Sequence, residues 1–337
     1  MPMKALVLKG PERLEIENVA IPKPADGQVL IRVKYCGICG SDLHAYHVGK
    51  PEGLILGHEF TGEIVDIGPG VTGWNPGQRV AVIPGVLCGT CYSCRQGLYN
   101  LCERSMYGGL GLTAPGAMAE YICVKSDMLR ELPENVDFLN GALAEPLAVS
   151  LHAIYQGNLQ VGEKVLITGA GPIGMLCLKL ALIGGASEIW VIESNPRRRE
   201  MAHKAGASYV LPPERDSLRM IRRCAEPGIN LALECAGVPD ALNMALKSVR
   251  PRGRVVVAGI HQIPVEVEFN RIAVKEIQIR GSFGFIGEME SALNLISKNT
   301  GDFETIITDV VSLEEAPAAF HDLFKSRRGL KTVIKVN

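Results

Sequence analysis

The sequence predicts an α/β protein of two domains, one mainly β and irregular, the other a doubly wound parallel sheet. Three observations carry this expectation. At 337 residues the chain exceeds what one hydrophobic core usually supports. Its texture changes near residue 147, from short alternating runs broken by Gly and Pro to apolar strands separated by helical stretches. A glycine-rich turn, Gly169-Ala-Gly171-Pro172-Ile173-Gly174, stands between an apolar strand and a helix.

Residues 1–147 hold KALVLKG, QVLIRVKYCG, TGEIVDIGPG, QRVAVIP and AMAEYICV, each alternating as a half-buried strand does; Met118 and Tyr121 fall in the last. Residues 148–285 hold KVLITGAG, EIWVIES, SYVLP, INLALECAG, GRVVVAGI and IQIRGSF, with helical stretches between them. Residues 286–337 return to the first style, with a helix near 288–299 and a closing strand KTVIKV. The β domain therefore reads as discontinuous, with the second domain inserted into it.

The stretch 165–184 has the length of a membrane span. Its clustered glycines, Pro172 and Lys179 instead describe a buried strand followed by a helix. Apolar residues make up 47% and charged residues 21%, the composition of a soluble globular protein, and a formal charge of −1 gives no field to draw nucleic acid or an anionic membrane. The N-terminus alternates like a strand and lacks the apolar core of a signal peptide, so the expected location is the cytoplasm.

Cys88, Cys91, Cys94 and Cys102 lie within fifteen residues. A disulfide knot does not suit a reducing compartment, and a redox dithiol needs only one CxxC pair. Four thiolates at this spacing can surround one tetrahedral Zn²⁺, each sulfur about 2.3 Å from the metal. Such a shell is closed, so the site is structural and the chemistry belongs elsewhere.

In its strand–turn–helix setting, GAGPIG reads as a dinucleotide turn. Gly169 makes the tight bend, Gly171 admits the pyrophosphate, Gly174 lets helix and strand pack, and the helix after Pro172 and Ile173 offers free amides. Glu193 ends the next strand, nineteen residues past Gly174, where a carboxylate accepts the hydroxyls of an adenosine ribose and repels a 2′-phosphate. Arg197, Arg198 and Arg199 follow; arginine here can meet the 2′-phosphate of NADP, or simply be the solvated first turn of a helix. With Glu193 in place the expected cofactor is NAD.

Two further clusters occupy the first domain, Cys36-Gly-Ile-Cys39-Gly-Ser41-Asp42-Leu-His44 and Gly57-His58-Glu59-Phe60. Cys39, His58 and a carboxylate make the mixed donor set of a catalytic zinc with one open position. Taken singly, Cys36 reads as a small buried hydrophobe and His44 as a surface histidine. His47 and Phe60 are candidates for lining a substrate pocket. Cys123, Cys177, Cys224 and Cys235, and His152, His203 and His321, stand alone and read as core or incidental.

CGICGSDLH, GHEFTGEIVDIG, the four-cysteine loop, ALAEPLAV and GAGPIG, in that order, resemble the zinc-dependent medium-chain dehydrogenase/reductase family over essentially the whole chain. The resemblance implies a GroES-like catalytic domain, a Rossmann domain and a cleft between them. It implies Cys39 and His58 as catalytic zinc ligands with Glu59 beside the metal, and the four-cysteine loop as a structural zinc lobe. Ser41 and His44 resemble the family's proton relay. Where the alcohol dehydrogenase branch has a second cysteine ligand, this chain has Glu145, which resembles the sorbitol, butanediol and threonine dehydrogenase branch; Glu59 and Glu145 are both candidates for the third zinc ligand, one binding directly and the other through water, or the two exchanging during turnover. The expected function is thus NAD-linked oxidation of a secondary alcohol in a polyol, diol or hydroxy-amino acid, by a homo-oligomer (dimer or tetramer) joined through edge strands. Four other readings compete: an alcohol dehydrogenase of simple alcohols, NADP-linked or not; a zinc-free reductase, which has no need of Cys39, His58 and Glu145 together; a nucleic-acid zinc module, which needs basic and aromatic residues around the loop, where Arg95 and Arg104 are offset by Glu103; and a catalytically silent relative, which has little reason to keep the zinc and cofactor motifs.

Overall fold

A computed structural model describes residues 2–104, 108–326 and 329–337. The chain forms two compact units, Met1–Glu145 with Met289–Asn337, and Pro146–Glu288. In chain order the first unit contributes β1 (Pro2–Gly10), β2 (Arg13–Ala20), β3 (Gln28–Gly37), β4 (Glu59–Ile67), β5 (Arg79–Val82), β6 (Tyr121–Lys125) and β7 (Leu129–Glu131). The second holds β8 (Lys164–Thr168), β9 (Glu188–Ile192), β10 (Tyr209–Leu211), β11 (Ile229–Glu234), β12 (Val249–Val257) and β13 (Gln278–Gly281). The chain then returns to the first unit with β14 (Ile307–Ser312) and β15 (Lys331–Lys335).

In the first unit β1 and β2 form an antiparallel hairpin, and a seven-stranded sheet runs β14-β15-β3-β4-β5-β7, with β6 also paired to β3. β3 pairs with β15, β4 and β6, and along it Val29, Leu30, Ile31, Val33 and Cys36 are buried while Arg32 and Lys34 are half-buried. Ile31, Val33, Phe60, Ile64 and Phe320 fill the core beneath it. The strand read at AMAEYICV begins at Tyr121; Met118 lies ahead of it, bonded through its backbone to Leu6 and Leu56.

The second unit has a parallel sheet in the order β10-β9-β8-β11-β12-β13. Its inner strands are buried almost end to end, as parallel strands covered by helices must be. Trp190, fully buried, stacks on Tyr209 with ring centroids 3.8 Å apart. From β8 the chain winds outward to β10, then returns to lay β11 on the other side of β8. Ligands of such sheets bind beyond the carboxyl ends of the strands at that reversal, and the ends of β8, β9 and β11 carry Gly169, Glu193 and Cys235.

Among the described residues no helix is long and apolar enough to cross a membrane, and 165–184 is β8 followed by the helix Pro172–Ile183, with Lys179 buried.

Candidate active site and metal centres

β3 ends at Gly37, and Cys39 caps the helix Gly40–Val48. Its backbone N–H donates to Asp42 Oδ2 at 2.8 Å. Asp42 is fully buried, and its other oxygen accepts from the Gly57 amide at 3.2 Å and stands 3.6 Å from His58 Nδ1. One aspartate thereby ties the start of the helix to the segment that delivers His58 and Glu59. Gly57 adopts φ +96°, and a Cβ there would lie 2.6 Å from Cys36 Sγ, so the bend before His58 requires glycine.

A ligand atom each from Cys39, His58 and Glu59 lies within 4.8 Å of the other two. His58 Nδ1 and Glu59 Oε2 are buried without an aligned hydrogen bond. Burial pulls the His58 pKa down, but the negative charges of Asp42 and Cys39 outweigh it and hold the ring well above its usual range. Thiol, imidazole and carboxylate turned toward one another are the mixed donor set of a zinc site with an open position, and they fit that ion. Glu145, at the start of the helix Ala144–Gly157, is not a member of the three-donor group. Burial is the largest influence on its carboxyl, opposed by His58 and reinforced by Glu59, and pushes it up to about 7. Lys331, 2% exposed, forms an ion pair with Glu59 and donates to Ile38 O at 2.9 Å.

Ser41 and His44 share the helix that Cys39 caps. Ser41 Oγ is buried without a partner, while His44, three residues on and so on the same face, is exposed. His47 is engaged elsewhere, 3.1 Å from Glu12 and stacked on Phe324 at 4.8 Å, and Phe60 is a core residue.

The sulfurs of Cys88, Cys91, Cys94 and Cys102 form a second group within 4.8 Å of one another. The backbone winds around them: the Cys91 amide donates to Cys88 Sγ at 3.3 Å, the Cys94 amide to Cys91 Sγ at 3.5 Å, and the Cys88 amide to Cys102 Sγ at 3.4 Å. Amide bonds from Thr90 and Cys91 bring the Cys88 thiol down to about 6, whereas desolvation and the neighbouring sulfurs push Cys94 up to about 12. All ten cysteines are free. Four thiols with amides directed at their sulfurs suit a closed tetrahedral zinc.

In the second unit each glycine of the turn has its own constraint. Gly169 takes φ +96°, and a Cβ there would lie 2.8 Å from Ala236 Cβ; a Cβ on Gly174 would collide with Gly169 O; Gly171, capping the helix, has open space except for Arg198, 3.7 Å away. Pro172 opens the helix and Ile173 follows it. Glu193 is buried and braces the turn, with Oε2 accepting from the Ala170 amide at 2.7 Å and Oε1 from the Asn195 amide at 2.7 Å. Arg199 is turned to backbone, donating to Glu193 O and Ser194 O at 2.9 and 2.7 Å, and Arg197 is exposed. Beyond the same strand ends, Thr168 Oγ1 and His261 Nδ1 are buried and unpartnered, while His261 Nε2 is held 3.0 Å from Glu234. Free amides and orphaned polar atoms at the sheet reversal fit a polar, phosphate-bearing ligand.

Two family models match the chain, an alcohol dehydrogenase GroES-like domain over residues 25–134 and a zinc-binding dehydrogenase over residues 172–298. The chain belongs to the zinc-dependent medium-chain dehydrogenases. Within them it stands with the sorbitol and butanediol branch. It is 36% identical to a sorbitol dehydrogenase of Bacillus subtilis (strain 168), over 94% of this chain and 92% of that one. The solved 2R,3R-butanediol dehydrogenase from Bacillus subtilis superposes with a TM-score of 0.92 at 32% identity, covering 99% of this dehydrogenase and all of that chain. A zinc-binding dehydrogenase from Sinorhizobium meliloti 1021, solved bound to NADP, gives 0.91 at 30% identity over the whole of both chains.

Two residues of this dehydrogenase's site escaped the sequence reading. Asp42 had a usable signal, since a carboxylate three residues after a helix cap is the spacing at which a side chain reaches back to the cap amide. Lys331 had none: it reaches Glu59 only through the pairing of β15 with β3 and of β3 with β4.

Proposed function

We propose that this dehydrogenase transfers a hydride between the secondary alcohol of a polyol, diol or hydroxy-amino acid and NAD(H), giving a ketone. The observation that carries the reading is the three-donor group of Cys39, His58 and Glu59, with the Glu145 carboxyl sensing their charges where the alcohol dehydrogenase branch has a thiolate. The names of the sorbitol and butanediol relatives support the substrate class.

When bound, zinc supplies Lewis acidity toward a hydroxyl oxygen and the nicotinamide supplies a hydride acceptor. The chain's own residues do the rest. Ser41 Oγ, buried and unpartnered, is free to accept the hydrogen bond of a substrate hydroxyl, and His44 stands one turn on, in contact with solvent to carry the proton away. Glu145, with its carboxyl raised to about 7, can hold or release a proton at neutral pH. The Gly171–Gly174 turn receives the pyrophosphate, and Glu193, whose Oε1 accepts from Asn195 and Ser194 and whose Oε2 accepts from Ala170, keeps an Oε2 lone pair for a ribose hydroxyl.

Zinc-loaded protein, offered NAD⁺ with sorbitol, xylitol, 2,3-butanediol, threonine, simple secondary alcohols and ethanol, should reduce the cofactor fastest with a polyol or diol. Preference for ethanol would defeat the reading. A second cofactor reading, NADP, has its own support in Arg198 beside Gly171; parallel rates with the two cofactors decide between them. The reading includes a reducing, cytoplasmic setting, supported by ten free cysteines. It also includes a homo-oligomer joined through β13, an exposed edge strand with exposed Phe269, Val274 and Ile279 on or near it.

A further inference from the structure

At the amino ends of β11 and β12 the second unit holds a hollow of about 350 Å³ that the proposed reaction does not use. The glycine turn lies at the carboxyl end of the same parallel sheet, so the length of β11, six residues at roughly 3.3 Å each, separates the two. Four cations line the hollow, brought by three helices: Arg222 in the last turn of Arg215–Cys224, Lys247 in the last turn of Pro239–Ser248, and Arg271 with Lys275 in Phe269–Lys275.

Cations at helix carboxyl ends are ordinary, since each such end carries about half a negative charge. Here they exceed it. Glu268 pairs with Arg271 at 3.2 Å, and Glu276 is taken by Arg252 at 3.2 Å. Among the described residues no carboxylate forms an ion pair with Arg222, Lys247 or Lys275. Against these three cations the helix ends set about one and a half negative charges, and the surplus is close to the charge of one phosphate group, about −1.5 to −2 near neutral pH. Lys275 registers the imbalance: burial lowers its pKa, and Arg271 and Arg222 lower it further. Its ammonium donates to the Val249 carbonyl at 3.4 Å, which leaves two N–H groups for a ligand.

We propose that this hollow is a second anion site of the chain, which takes the phosphoryl group of a small phosphate monoester or of free phosphate between Arg222, Lys247 and Lys275. A guanidinium fork and two ammonium groups match the oxygens of a phosphate, and the volume is that of a small-ligand pocket. The site owes nothing to the zinc centres or to the choice between NAD and NADP.

The test uses the full, zinc-loaded chain with NADH at saturation, which keeps the probes off the glycine turn. Inorganic phosphate and sorbitol 6-phosphate are titrated in a calorimeter, with sodium chloride holding the ionic strength constant. One saturable site per chain is expected. Lys247→Gln and Lys275→Gln should each weaken it by about tenfold or more, the scale of a lost charge-assisted hydrogen bond, and Arg222→Gln combined with Lys275→Gln should abolish it. NADH affinity and turnover should stay at the wild-type level in all of them. Melting checks the fold, and either single variant suffices. Sorbitol 6-phosphate binding tenfold tighter than phosphate would identify the ligand as an organic monoester; equal or weaker binding would identify free phosphate. Absence of saturable binding would overturn the proposal and leave the cations as compensation for three helix ends. Saturable binding that keeps its affinity in a folded single variant would also overturn it, and would assign the phosphate to the glycine turn or the zinc.

Discussion

Glu145, Glu193 and Glu288 are three buried or part-buried carboxylates used in three ways. Glu145 is raised to about 7, chiefly by burial. Glu145→Ala should lower turnover by about 100-fold or more, the scale of a lost acid–base or metal-adjacent group, and leave NADH binding, followed by its fluorescence, unchanged. Wild-type turnover in that variant would make Glu145 a packing residue. Glu193 braces the glycine turn and, in the proposed function, receives the ribose, so Glu193→Ser should weaken NAD⁺ binding and move the kcat/KM ratio toward NADP⁺, with Arg198 nearby. A ratio unchanged by the substitution would confine Glu193 to bracing. Glu288 is opposed by burial, but the bond from His152 at 2.7 Å and the amides of Ile286 and Gly287 at 2.6 and 2.9 Å outweigh it and hold its carboxyl below the usual range. A depressed carboxylate stabilises the fold above its unfolded pKa, and that stability is lost as pH falls through the folded pKa. Glu288→Gln should therefore be less stable by about 1–2 kcal/mol at pH 7 and lose less on acidification below roughly pH 4.5, as read from urea unfolding at stepped pH.

At the scale of elements, the turn between β8 and the helix Pro172–Ile183 tolerates no enlargement at Gly174, where a Cβ would meet the Gly169 carbonyl. Gly174→Ala should cost about 1–3 kcal/mol of stability, as overpacking does, and weaken NADH binding; a neutral effect on both would show that the turn can open. Cys94→Ser should remove the lobe's metal, lower the melting temperature and leave metal at the Cys39 site, measured as metal content per chain. These elements were legible in the sequence because their signals are local: a fixed cysteine spacing, three glycines between strand and helix, a cysteine and a histidine each flanked by glycine. β14 and the helix Ala316–Ser326 were not read. β14 lies at the sheet edge and is largely exposed, so it carries no apolar alternation, and the segment showed only a helix near 288–299 and its closing strand, β15. The Lys331–Glu59 pair was invisible for a different reason, since it exists only once three strands are in register.

For the molecule as a whole, β13 leaves a row of unpaired backbone groups at the edge of the parallel sheet. Ile279→Lys on that strand should shift the mass measured by light scattering toward monomer while each chain keeps its NADH affinity; an unchanged mass would move the interface elsewhere. The four-sulfur lobe has a consequence of another kind. Cys88 and Cys94 have their sulfurs 3.9 Å apart, and the amides of Thr90 and Cys91 lower the Cys88 thiol to about 6, which favours its thiolate form. Reactivity toward oxidants follows thiolate character, so metallation and oxidation compete for the same atoms during maturation, and each disulfide formed withdraws two of the four ligands. A bound ion masks the sulfurs from oxidants, whereas a disulfide has to be reduced before its two sulfurs can hold an ion. A metal held there would thus serve as a protecting group as well as a staple, and peroxide should consume fewer thiols in the metal-loaded chain than in the metal-free one.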